Sequence, residues 1–291
     1  MKHWNRIAFA WGLLAAHLAA LVFGLIGLLI MLPNPDLWAN DPHAVRVFDW
    51  SMTHAGATHI VFGALTMAVF GIVVLGWRKT AVFAIVSITL SLSFELFGTG
   101  TGWPFGNYAY TDFLGTKVLG RVPWTIPLSW FYMGFASLLL GSWLASRLQL
   151  GNRGIWSVLL GAWLLTGWDL VLDPAMAHDS LRIQFWVWYE QGPYFGMPLK
   201  NFAGWAMTGL LFMAVSRWLW GSDSVLTPSE LRIPGIVFVA NMIFAMIISG
   251  AVGLWQPIVI AILVSGAPFA LAHMRRRPTI ARARLTYGHD R

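Results

Sequence analysis

Long apolar runs alternate along the chain with short stretches that hold most of its charged residues. The runs cover 7–32, 55–76, 80–97, 124–146, 155–173, 202–220, 234–252 and 256–273. Each is near the roughly 20 residues that a helix needs to cross the hydrocarbon core, so the pattern predicts an all-α polytopic bundle of about eight transmembrane spans. Only Gly253, Leu254 and Trp255 separate the last two runs, which predicts a tight hairpin. The first run exceeds the roughly 7–15 residues of a signal-peptide core and reads as an uncleaved span. No internal repeat, low-complexity tract or soluble domain is visible, and 1–291 is expected to be a single integral-membrane domain.

Charge sets an expected orientation. With the amino terminus in the cytoplasm, the cytoplasmic segments hold 14 of the 19 basic residues: Lys2, Arg6, Arg78, Lys79, Arg147, Arg153, Arg217, Arg232, Arg275, Arg276, Arg277, Arg282, Arg284 and Arg291. Arg46, Lys117, Arg121, Arg182 and Lys200 fall on the other side. The positive-inside rule then places both termini inside, which an even number of spans requires. The acids cluster oppositely: Asp36, Asp41, Asp49, Glu95, Asp112, Asp169, Asp173, Asp179 and Glu190 lie on or near the outer side, while Asp223, Glu230 and Asp290 lie inside.

Composition narrows the chemistry. A chain 57% hydrophobic, 11% charged and with 18 Trp cannot hide its apolar surface as a soluble domain. The net charge of +7 is dispersed among membrane loops, so it reads as a topology signal and no nucleic-acid partner is expected. Zero cysteines exclude disulfides, thiolate metal sites and cysteine nucleophiles.

Three acids at the ends of apolar segments carry the strongest functional signal. An ionisable group at membrane depth costs several kcal/mol on roughly any scale, so its default reading is functional. Ser87, Ser91 and Glu95 follow one another at four-residue spacing, and so do Asp169 and Asp173, with Thr166 one turn earlier. Each set shares one helix face, which should point into the bundle. Pro174 predicts that Asp173 lies in the last turn of its helix, and Gly98 and Gly100 place Glu95 near another C-terminal end. A helix C-terminus and loss of solvent both disfavour an ionised carboxylate, and a carboxyl that keeps its proton is what a general acid requires. The plainer alternative is that these acids pair with Arg121, Arg182 or Lys200.

Two loops rich in aromatics, Gly and Pro follow the acid-bearing segments, 98–110 and 186–202. Interfacial belts and tight turns explain about half of their residues. The glycines do not make a nucleotide loop, because no βαβ unit is possible here. His54 and His59, five apart, are a poor metal pair, and His17 reads as a satisfied core histidine. Metallo-, aspartyl and serine hydrolase motifs are lacking.

The blocks Phe94–Tyr110, Val122–Phe131, Trp168–Pro174 and Tyr194–Trp205 resemble the CruF-type carotenoid 1′,2′-hydratases, over about residues 90 to 210. The resemblance implies addition of water to the terminal C1′=C2′ double bond of an acyclic ψ-end, as in γ-carotene or lycopene, with no cofactor. It implies a carotenoid substrate, the lipid bilayer and carotenoid-pathway enzymes such as a glycosyltransferase as partners, and the cytoplasmic membrane of a bacterium or archaeon as location.

The chemistry suggests roles. Protonation at C2′ leaves a tertiary cation at C1′, which water captures. Asp169 or Asp173 is the expected acid, since two close carboxylates cannot both ionise cheaply. Glu95 is expected to position the water and accept its proton. Trp103, Tyr108, Trp130 and Trp168 could face the cation, each worth roughly 0.5–2 kcal/mol, and Asn107 and Asn201 could orient water, although Asn201 reads equally well as an N-cap. Tyr194, Phe195 and Trp205 complete the expected substrate contacts, with the polyene in a groove lined by Gly134, Gly141, Gly161 and Gly167. Three alternatives stay open. A membrane prenyltransferase would need Mg²⁺ and a second acidic motif. A ψ-end cyclase or isomerase shares the protonation step, and a proton-coupled transporter would use the acids as a relay.

Overall fold

A computed structural model of the protein describes residues 3–221 and 226–275. Lys2, Asp223, Asp290 and the basic residues from Arg276 to Arg291 lie outside the described residues. Among the described residues, eight helices are long and apolar enough to cross a membrane. They are α1 (His3–Ile26), α2 (Pro42–Val74), α3 (Trp77–Thr101), α4 (Ile126–Arg147), α5 (Arg153–Ala177), α6 (Leu199–Trp220), α7 (Arg232–Ala251) and α8 (Trp255–Met274). α1 continues through a π-helical turn, Gly27–Met31. Four short strands join them: β1 (Tyr108–Tyr110), β2 (Lys117–Val118), β3 (Val122–Pro123) and β4 (Trp186–Trp188).

α4 is the centre of the bundle, with 17 of its 22 residues buried, whereas α1 turns most of its apolar surface outward. Lipid is as apolar as leucine, so hydrophobicity does not draw a span inward; small residues that allow close packing do. Gly134, Gly141 and Gly161 serve that purpose. Gly141 lies against the backbone of Gly161 and Ser157, Gly161 against Leu138, and Gly134 against the ring of Phe212. Gly167 packs against Ser265. These glycines therefore bring helices together and do not line a groove, contrary to the sequence-based expectation.

Two helix ends differ from expectation. α2 begins 13 residues before the expected 55, at Pro42, because Asp41 caps it by accepting from the His43 N–H at 2.8 Å. α5 passes through Pro174 and ends at Ala177, so Asp173 is not in the final turn. Proline has no N–H to give the carbonyl four residues earlier. That carbonyl, of Leu170, accepts instead from the Tyr194 hydroxyl at 2.8 Å.

Candidate active site

The two loops that follow α3 and α5 come together as a ribbon. β1 and β4 pair antiparallel, with Tyr108 opposite Trp188 and Tyr110 opposite Trp186. Alternation along a strand puts all four rings on one face. That face covers the acid-bearing end of the bundle. Phe105 anchors the approach to β1 by filling the space between Gly98 of α3 and Gly204 of α6, where a side chain on either glycine would collide with its ring.

Beneath the ribbon each strand serves one helix. From β1, the Tyr108 and Tyr110 hydroxyls both donate to Glu95 Oε2, the latter at 2.9 Å. Trp130 Nε1 of α4 donates to Glu95 Oε1 at 2.9 Å. From β4, Trp186 Nε1 and Trp188 Nε1 donate to Asp173 Oδ1 at 2.6 and 3.3 Å. Burial, and then the neighbouring Glu95 carboxylate, push both phenols well above their ordinary value of 10, so Tyr108 and Tyr110 stay protonated donors.

Asp169 and Asp173 are joined through Asn201 of α6. Its Nδ2 donates to Asp169 Oδ2 at 3.0 Å and to Asp173 Oδ2 at 2.7 Å. Asn201 is not an N-cap; Pro198 holds that position. Asp169 is fully buried, and its Oδ1 has no hydrogen-bond partner among the described residues. The donors to all three acids are uncharged. Lys200 instead pairs with Glu190 at 2.7 Å and Lys117 with Asp112 at 2.7 Å. Ser87 and Ser91 are buried on the Glu95 face as expected, but their hydroxyls bond carbonyls of their own helix.

A cavity of about 460 Å³ meets this site, reaching Glu95, Tyr108, Tyr110, Asp173 and Asn201. Trp130, Trp168 and Trp205 form an aromatic wall, with Trp130 stacked on Trp205 at 4.0 Å between centroids. The cavity continues along one face of α2 from Ala44 to Ile60, roughly 24 Å at the helical rise. Phe23, Gly27 and Met31 of α1 and its π-turn line it as well. It is long, walled by helices and lined mostly by apolar and aromatic side chains, which suits a linear hydrocarbon more than a compact polar ligand.

Four expected contacts lie elsewhere. Trp103 is 52% exposed and packs on Phe94 and Phe97, outside the cavity. Asn107 is exposed and offers its backbone to the ribbon, its N–H to Glu190 and its carbonyl to Tyr189. Tyr194 supports the carbonyl freed by Pro174, and Phe195 packs on the Tyr194 ring. Tyr110, Trp186 and Trp188 also belong to the site, although no helical spacing marks them. The spacing-of-two in Tyr108-Ala-Tyr110 and Trp186-Val-Trp188 was the available signal, a strand alternation inside loops.

Known proteins resemble the chain over the region that holds this site. The family of carotenoid biosynthesis proteins matches residues 55–268, which include the three acids, Asn201 and both ribbon strands. A bisanhydrobacterioruberin hydratase of Haloarcula japonica is 34% identical over 200 residues, 65% of this chain and 60% of the relative. The aligned region thus spans about 60% of the length of that curated relative. No solved structure matches the chain. A match over residues 55–268 of 291 decides the affiliation: the chain belongs to the carotenoid biosynthesis protein family.

Proposed function

We propose that the protein is a carotenoid hydratase that adds water across the terminal C1′=C2′ double bond of an acyclic ψ-end. The observation that carries this reading is the pair Asp169–Asp173 bridged by Asn201 at the end of a long apolar cavity with an aromatic wall. The hydratase relative supports the same reaction class.

Asp173 meets the cavity and is the proton donor; Asp169 stands behind it. An ionised oxygen buried without a donor is costly, so the bare Oδ1 of Asp169 favours a pair that holds one proton between its two carboxyls. Delivery of that proton uses the π electrons to form the C2′–H bond and leaves a tertiary cation at C1′. Water bonds to C1′ and releases a proton, and the pair is protonated again. Glu95, with three donors, suits the ionised form, and its negative charge and the Trp130 and Trp168 faces stabilise the cation. The rest of the polyene lies along α2.

The reading also holds that both termini are cytoplasmic and the ribbon is on the outer side, as the basic-residue asymmetry implies. Reporter fusions at residues 110 and 190 should then both be extracytoplasmic, and a cytoplasmic signal at either overturns that orientation. The activity test is expression in a lycopene-producing host with mass analysis of the pigments. A gain of one water per reacted end is expected; a new pigment of unchanged mass would instead identify a cyclase or isomerase.

A further inference from the structure

A second polar cluster borders the same cavity on other helices. His17 of α1, fully buried, directs Nδ1 at the His59 carbonyl of α2 at 2.7 Å. Its Nε2 meets Asn241 Nδ2 of α7 at 3.0 Å, and Asn241 Nδ2 also donates to Val237 O at 2.8 Å. The Asn241 Oδ1 accepts from the Tyr132 hydroxyl of α4 at 2.8 Å. Every polar side-chain atom of His17 and Asn241 is thereby used, and the cluster ties α1, α2, α4 and α7 together at the wall of the cavity. Gly63 makes this possible: its missing side chain leaves room for the His17 ring.

His59 is the member with capacity to spare. It lines the cavity beside Phe244, with 5.7 Å between ring centroids. Its Nδ1 faces the Ala55 carbonyl of its own helix at 3.4 Å, which places the ring proton there. The other edge of the ring carries Nε2, which has no partner among the described residues. A neutral imidazole so held presents one unused lone pair to a mostly apolar cavity.

Depth brings the two clusters to within about one helical turn of each other. α2 and α3 meet at a short turn between Val74 and Trp77. At the helical rise, His59 lies roughly 22 Å and Glu95 roughly 27 Å from that turn. On α4, Trp130 reaches Glu95 while Tyr132, two residues on, reaches Asn241. Glu95 itself has little acceptor capacity left. A carboxylate offers about four lone-pair sites, and three donors already occupy three of them.

Building on the hydratase reading, we infer that His59 is the group that binds the attacking water and takes its proton. The role expected of Glu95 from the sequence thus passes to His59. As the water oxygen bonds to C1′, its O–H bond breaks and the proton goes to His59 Nε2. The imidazolium then loses that proton, the carboxyl pair having lost one to C2′, so the cycle conserves protons without any oxidant or reductant.

The assignment separates protonation of the alkene from capture of the cation, and the full-length enzyme in proteoliposomes with lycopene in D₂O reads both. The wild type should yield hydrated product. His59→Gln keeps an acceptor but takes up no proton, so hydration should fall about 100-fold or more, as losing a general base does. The variant should still exchange deuterium into recovered lycopene at C2′, because the cation forms and returns to alkene. In His59→Ala, added imidazole should restore hydration. Near wild-type hydration by His59→Gln overturns the assignment. So does loss of hydration and exchange together in a variant that elutes like the wild type. If His59→Gln does not fold, a folded His59→Ala without imidazole rescue has the same force. A wild type that neither hydrates lycopene nor exchanges deuterium into it overturns the hydratase reading itself, and this assignment with it.

Discussion

Glu95 and the Asp169–Asp173 pair lie under the same ribbon, but the ribbon and its neighbours treat them differently. Glu95 receives three donors for one carboxylate, two phenols and an indole. The aspartate pair receives two indoles and one amide shared between two carboxyls, and leaves Asp169 Oδ1 bare. A buried carboxylate is tolerated when donors surround it, and a buried carboxyl short of donors is better off keeping a proton. Unequal donor supply can therefore divide one acidic site into a fixed negative charge and a proton store.

The largest effect that could break this division belongs to the pair. Asp173→Asn should lower hydration by roughly 10²–10⁴-fold, the usual contribution of general acid catalysis, in a protein that still inserts and folds. Asp169→Asn should fall in the same range, as it removes the proton reserve. Activity assays on purified variants decide this, and two near wild-type activities would make the aspartates structural.

Glu95→Gln should do less to protonation and more to the fate of the cation. An amide presents an NH₂ group where a carboxylate oxygen stood, so one of the three donors loses its acceptor, at about 1–3 kcal/mol. Turnover should fall by roughly 100-fold, in the range seen on removing one stabilising group. Pigment analysis should show dehydrated or ring-closed products gaining share over the alcohol. A Glu95→Gln enzyme with unchanged turnover and products would remove the charge from the mechanism.

Smaller effects should come from residues that only hold the site. Tyr194→Phe leaves the Leu170 carbonyl without its donor. It should cost about 1–3 kcal/mol of stability, with little change in substrate affinity. Thermal unfolding in detergent measures it, and an unchanged midpoint would mean that water serves that carbonyl. The ribbon clasp Glu190–Lys200 should have the smallest effect. The hydrogen bond from Lys200 holds the Glu190 carboxyl below its ordinary 4.5. A depressed carboxyl contributes stability above its unfolded value and loses it as pH falls through the folded one. Proteolysis of the ribbon should therefore rise below about pH 4.5, and Glu190→Gln should abolish that pH dependence.

The parts legible in the sequence were those set by local composition. Eight spans, the inward faces of Ser87, Ser91 and Glu95, and the pairing of Asp169 with Asp173 all follow from spacing along single helices. The ribbon was not legible, because strands of three residues at 108–110 and 186–188 gain their meaning only from each other. The same holds for the cluster of His59, Tyr132 and Asn241 around His17, one polar residue on each of four helices, although His17 by itself is the satisfied core histidine that the sequence suggests. Glycines were ambiguous for a physical reason: a missing side chain either opens a groove or lets two helices touch. At Gly141 and Gly161 it does the latter.

The division between charge and proton store is tested most directly by where solvent hydrogen enters the product. Wild-type enzyme turning over lycopene in D₂O should give a product heavier by one water, with one non-exchangeable deuterium at C2′ per hydrated end. Asp173→Asn should give neither the water nor the deuterium. Hydrated product without deuterium at C2′, or full incorporation by the Asp173→Asn enzyme, would contradict the proposal that the aspartate pair protonates the alkene.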